Sequence, residues 1–217
     1  MGKQIKSGAT FEPLKPGSYR VLIKDVIDIG TQPEPPNSGY KEESKFAIVF
    51  QVFARTGAAL LSKMGDPVTV EKRYSKKFSK IKGKTPAAMR MLAEAAFGRE
   101  FSDAEARQGI DAETLIGRPV MATVGVNEGG RNVVLSTAGY ADDEPDLKTD
   151  LDNTYYDVDP SREIPGEIRE YHRGLIESSR EWTAVRGGPT PTTAAEPTSR
   201  EYAEVSAGGG DADDLPF

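Results

Sequence analysis

The sequence predicts a mainly β protein: a five-stranded antiparallel barrel with an α-helical insertion between strands three and four, then a C-terminal helix and a disordered acidic tail. Three observations predict it. Apolar and polar residues alternate in five separate runs, a helix-period apolar stripe lies between the third and fourth runs, and beyond residue 187 large aliphatic side chains nearly vanish.

Residues 1–16 are polar and hold Pro13 and Pro16, which predicts a flexible arm with order beginning at Gly17. Tyr19, Val21, Ile23, Ile27 and Ile29 then share one parity, and Arg20, Lys24 and Asp28 the other, the period of a half-buried strand. Asp25 interrupts the apolar parity, so a β-bulge is expected near it. The prolines and turn residues of TQPEPPNSGYKEES predict a long exposed connection.

In the second strand, residues 45–55, Phe46, Ile48, Phe50 and Val52 form a core face opposite Lys45, Gln51 and Arg55. Val49 and Phe53 share the polar parity, either as a stacking platform or beneath another element, and the second is the commoner fate of strand aromatics. The third strand, residues 67–75, points Val68 and Val70 inward. Thr85 as N-cap and Pro86 at the first helical position open a helix with Met89, Leu92, Ala93, Ala96 and Phe97 as its stripe and Gly98 as its stop. Ser102 with Glu105 matches a capping box, and Asp111 caps a last turn before Gly117.

Residues 118–126 place Val120, Ala122, Val124 and Val126 on one face, residues 132–137 place Val133 and Leu135 likewise, and NEGGR joins the two as a hairpin. Three strands, a helical region and two strands is the element order of the five-stranded OB barrel. An antiparallel sheet with a helix across one end would give the same string. Residues 17–140 therefore form the expected body. Residues 141–186 follow as an acidic linker and a helix from about 166 to 186, with Ile168, Tyr171, Leu175 and Trp182 docking it on the body or on a second subunit. Residues 187–217 cannot bury enough apolar surface to offset their ordering entropy.

Composition narrows the chemistry. The chain has no Cys and one His, which removes disulfides, thiolate catalysis and Cys- or His-rich metal sites; many enzyme classes fall away, and the expectation is a binding protein with no cofactor and no enzyme activity. No apolar run is long enough to span a bilayer and the N-terminus lacks a signal peptide's apolar core, which predicts a cytoplasmic protein without a membrane partner. The formal charge of −6 hides an asymmetry. Residues 1–140 hold 21 Lys+Arg and 15 Asp+Glu, a balance of +6, and residues 141–217 hold 7 and 19, a balance of −12. That is a basic body with an acidic appendage.

The basic character concentrates in EKRYSKKFSKIKGK, residues 71–84, with seven cations against one acid. Lys72, Arg73, Lys76, Lys77, Lys80, Lys82 and Lys84 are candidates for phosphate contacts, and Tyr74 and Phe78 for stacking on unpaired bases. The opposite end of the chain is a small anchor: Asp211, Asp213 and Asp214, then Leu215, Pro216 and Phe217 with the free carboxylate, suited to an apolar pocket rimmed by Arg or Lys. At these residues the chain resembles the single-stranded-DNA-binding proteins of bacteria and their phages, whose acidic C-termini end in Asp-Asp-(Ile or Leu)-Pro-Phe. Ala212 departs from the usual run of acids. Over residues 17–138 the likeness is to the phage-encoded type.

The resemblance implies an OB body that coats single-stranded DNA during replication, recombination and repair. It also implies a tip that recruits partner enzymes: polymerase, helicase, primase, nuclease or recombinase. An oligomer is left open. The competing reading is a phage adaptor whose OB-like barrel binds protein and lacks DNA affinity. Two enzyme readings fare worse. Gly83-Lys84-Thr85 precedes a helix as a phosphate loop would, but Phe78 stands where that loop needs glycine. Asp142, Asp143, Glu144 and Asp146 are consecutive on a Pro-broken segment rather than convergent from strands, so a metal nuclease is disfavoured. His172, between Tyr171 and Arg173 on a polar helix, reads as a surface residue.

Overall fold

The computed structural model describes residues 13–33, 42–78, 86–141 and 143–187. Within them follow β1 (Gly17–Gln32), β2 (Glu43–Phe53), β3 (Thr69–Ser75), α1 (Ala88–Phe97), α2 (Asp103–Gln108) and a 3-10 turn (Ala112–Leu115). Then come β4 (Pro119–Val126), β5 (Asn132–Ala138), β6 (Thr154–Tyr156), α3 (Glu170–Glu177) and α4 (Arg180–Arg186). The antiparallel strands lie in the order β3-β2-β1-β4-β5, and β6 adds in parallel to β1. After three consecutively paired strands, β4 returns through the helical insertion to lie beside β1, which is a Greek key.

The sheet is not closed into the expected barrel, because no ladder joins its edges β3 and β5. A register shift opposite Thr123 and Val124 leaves Leu135 outside the β4–β5 ladder. Lys72 on β3 donates its ammonium to the Leu135 carbonyl at 2.8 Å, so a side chain stands where a ladder bond would lie. The same bulge corrects the expected face of β5. Val134 is its core residue, and Leu135 is 44% exposed. The run Val133-Val134-Leu135 carries apolar side chains on both parities, so alternation alone did not decide the register.

The bulge expected near Asp25 is present, between Ile23 and Asp25, but its effect differs from the one expected. Instead of restoring one apolar face it switches faces. Val21, Ile23 and Val26 pack under α1 with Ile48, Phe50, Val52, Val120, Ala122, Val124 and the α1 residues Met89, Leu92, Ala93 and Ala96. Ile27 and Ile29 turn to the opposite face, where Tyr156, Ile164, Ile168, Ile176 and Trp182 cover them. Gln51, Val49 and Phe53, on the other parity of β2, are buried as well, so β2 offers no exposed platform.

Several local signals act as expected. Gly98 ends α1 in the left-handed region at φ 65°, Ser102 and Glu105 form the capping box of α2, and Asp111 caps the 3-10 turn. Three boundaries shift. β3 begins at Thr69 rather than at residue 67, and Val68 is half-buried. α1 begins at Ala88 with Ala87 as an uncapped N-cap, so Pro86 precedes the helix, whose hold is its packed apolar stripe rather than a cap; Thr85 lies outside the described residues. The expected helix of 166–186 is two helices, because Ser179 turns out of the first and caps the second through the Trp182 N–H at 3.3 Å.

The segment expected as a linker packs closely on the sheet. Arg20 pairs with Glu144, Thr154 N–H donates to Asp25 at 2.9 Å, and Glu181 accepts from the Thr31 N–H and hydroxyl at 2.7 and 2.6 Å. Of the four apolar positions expected to dock this segment on the body or on a second subunit, Ile168 and Trp182 are buried against the sheet and Leu175 packs half-buried beside them, whereas Tyr171 is exposed and His172 and Ile176 are the buried residues of α3. His172 is 1% exposed, not a surface residue: its Nε2 lies 2.8 Å from Glu71 Oε2 on β3. No described helix is long and apolar enough to cross a membrane.

Candidate nucleic-acid interface

β3 alternates strictly, and that alternation sorts the basic stretch into different environments. Val70 and Tyr74 point into the core, opposite Phe50 and Phe46 of β2. Tyr74 is 2% exposed, and burial pushes its phenol far above the ordinary tyrosine range, with only partial opposition from Thr137. The stacking role expected of it is thereby corrected, since a ring in the core presents no face to a base. Phe78 packs on the same core, edge-to-face with Phe101 at 5.6 Å.

Each described cation of the stretch already has company. Lys72 bridges to Leu135, and burial lowers the pKa of its ammonium. Lys76 pairs with Asp28, whose side chain is buried, and lies 4.8 Å from the Phe46 ring centroid. Moving Lys76 to a phosphate would strand that carboxylate, so the pair ties β3 to β1. Lys77 pairs with Glu43 at the surface, with 67% of its side chain exposed, where exchange for a phosphate costs little. Lys80, Lys82 and Lys84, the terminal residues Asp211, Asp213, Asp214, Leu215, Pro216 and Phe217, and Asp142 lie outside the described residues.

Arg73 is on the outward parity with Glu71. It donates to the Tyr171 hydroxyl, its guanidinium lies 5.4 Å from that ring's centroid, and its Nε is 3.9 Å from Glu71. These contacts border a groove of about 210 Å³ along the open seam of the sheet. Its walls are Lys72 and Arg73 of β3, Tyr171 of α3, and Asn127, Arg131 and Asn132 of the β4–β5 hairpin. A second cavity of about 450 Å³ shares Glu71, Arg131 and Asn132 and extends toward Thr69 and the turn glycines Gly129 and Gly130. Arg131 is exposed and forms no ion pair among the described residues. Asn127 accepts from the Arg131 N–H at 2.8 Å, and Asn132 holds both the N–H and the carbonyl of Leu14, at 2.8 and 3.0 Å.

Three cations from two strand ends thus meet one carboxylate, Glu71, which His172 and Arg73 already engage. Such a groove attracts an anion and offers a ring beside it. The sequence reading missed Arg131, Asn127, Asn132 and Tyr171. The sequence offers NEGGR as a hairpin connection and Tyr171 as one of the apolar positions that dock the helix on the body or on a second subunit. Asp143, Glu144 and Asp146 do not converge with other ligands, and no cluster of three His, Asp or Glu residues among the described residues is suited to a metal. No family model matches the chain, and no curated protein matches it.

Proposed function

We propose that this chain is a sequence-independent single-stranded-DNA-binding protein of the phage-encoded type. In this reading it coats DNA in replication, recombination or repair and recruits partner enzymes through its terminal Asp-Asp-Leu-Pro-Phe. The observation that carries the reading is the seam: Lys72, Arg73 and Arg131 gather along an open sheet edge beside an exposed tyrosine. Cations for the backbone and a ring for bases are what unpaired nucleic acid needs. The topology supports it, since a five-stranded, partly open Greek key is the OB architecture, whose nucleic-acid face includes the loop between strands four and five. Residues 127–131 join β4 to β5 here, the position that loop holds in such an architecture.

Lys77, Lys80, Lys82 and Lys84 would extend the cationic path beyond the groove. The acidic tail, tethered to the same body, would compete for the basic surface until DNA displaces it, leaving the tip accessible on coated DNA. Labelled oligothymidine, followed by fluorescence anisotropy across a salt series, tests this with the full chain and a chain ending at Gly210, against duplex competitor. About four to six neutralised phosphates give a log–log salt slope of about −3 to −4. Binding should resist duplex and tighten on truncation. If neither chain binds, the reading falls and the adaptor, whose body binds protein, replaces it.

A further inference from the structure

We infer that the DNA path runs along the β3–β5 seam, not across the outer face of β1–β3, and that α3 supplies its stacking platform in Tyr171. This rests on the single-stranded-DNA reading above and adds a site to it. The outer face is occupied: Ile168, Ile176 and Trp182 cover Ile27, Ile29 and Ala47, and His172 sits on Glu71. Of the aromatics inside the basic stretch, Tyr74 is packed in the opposite core, and Phe78, half-buried beyond the end of β3, packs against that core. Neither face of β3 therefore presents a ring of its own.

The ring comes from α3. One residue before the buried His172, Tyr171 emerges 48% exposed into the groove. Its hydroxyl end is fixed by Arg73, and the His172 ring stands 5.5 Å away, tilted by 53°. Both neighbours set the tyrosine's position before any ligand arrives. Across the groove Arg131 is exposed at the hairpin end, and Lys72 marks the floor where it spans to Leu135. A base stacked on Tyr171 places its own phosphate within the reach of these long cationic side chains. The packed C-terminal segment thus does two things: it closes the face a bare sheet would offer, and it supplies the ring at the groove that remains.

The test uses the full chain with oligothymidine carrying one 5-iodouracil, for photocrosslinking and for anisotropy titrations. The expected crosslink is at Tyr171. Tyr171→Ala should weaken binding about 5- to 150-fold, the range for loss of one stacked base, while Tyr171→Phe, which keeps the ring, stays close to wild type. Arg131→Ala should flatten the salt slope by about 0.7, the share of one phosphate on a single strand. Trp182 fluorescence and circular dichroism report whether each variant keeps its fold. If wild type binds with the expected salt slope but crosslinks elsewhere, and Tyr171→Ala and Arg131→Ala bind equally well, the seam path is overturned while the single-strand function stands. Absence of binding by wild type overturns both.

Discussion

The two faces of the β1–β2 sheet are built by different rules. The face under α1 is held mainly by apolar packing: Val21, Ile23, Ile48, Phe50 and Val52 meet Met89, Leu92 and Ala93, and the buried Arg90 of α1 donates within the helical insertion to Glu94 and the Phe101 carbonyl. The opposite face mixes Ile27, Ile29, Ile176 and Trp182 with buried polar groups, Asp25, Asp28, His172 and Ser179, each matched to a partner far along the chain or in a turn. Hydrophobic burial is tolerant of detail and gives the first face its hold. Buried polar groups must be satisfied one by one, so the second face specifies where residues 143–186 dock.

If that contrast holds, substitutions on the two faces should be distinguishable. The chain has a single tryptophan, Trp182, in the outer layer, so its fluorescence reports that layer while far-UV circular dichroism reports the sheet. The largest effect is expected for Phe50→Ala, a fully buried ring in the inner core, at about 3–5 kcal/mol. In urea melts both signals should shift together. Next comes Gly30→Ala. Gly30 has φ 69°, and a Cβ there would meet Ser179 and Glu181 at 2.7 Å, where α4 closes on β1. Strain and overpacking together should cost about 2–4 kcal/mol. The fluorescence midpoint should move further than the dichroism midpoint. Equal shifts in both signals would make the two layers one cooperative unit and end the distinction.

What was legible in the sequence follows the same division. Alternation identified Ile48, Phe50 and Val52, the stripe identified Met89, Leu92, Ala93 and Ala96, and local spacing gave the capping box at Ser102 and the hairpin at 127–131. All of these are set by neighbours in the chain. His172 was illegible because its burial depends on Glu71, 101 residues away. The shared parity of Tyr74 with Val70 announced a core ring, but the lysines around it drew attention to the surface. The seam groove was hidden for a related reason. It exists because one bulge in β5 and one lysine in β3 keep two edges unpaired, and neither fact has a signature in local periodicity.

Acid should probe the contrast most gently, through two carboxylates that act with opposite sign. Burial tends to raise Glu181, but the hydrogen bonds from the Thr31 hydroxyl and N–H outweigh it and hold the carboxyl below the ordinary 4.5. Its contribution is therefore complete above pH 4.5 and is lost as the pH falls through the lowered folded value. Burial raises Asp28 above 3.8 despite Lys76 and the Gly30 N–H, so folding favours its protonated form, and stability from this group rises as the pH falls through the raised value toward 3.8. Glu181 fastens α4, whereas Asp28 joins β1 to β3. On acidification below pH 4.5, Trp182 fluorescence should change before the far-UV signal. Glu181→Gln removes the titrating group and should abolish that early change, leaving only the later common transition. An early change that persists in Glu181→Gln would move the acid-sensitive fastening elsewhere on the outer face.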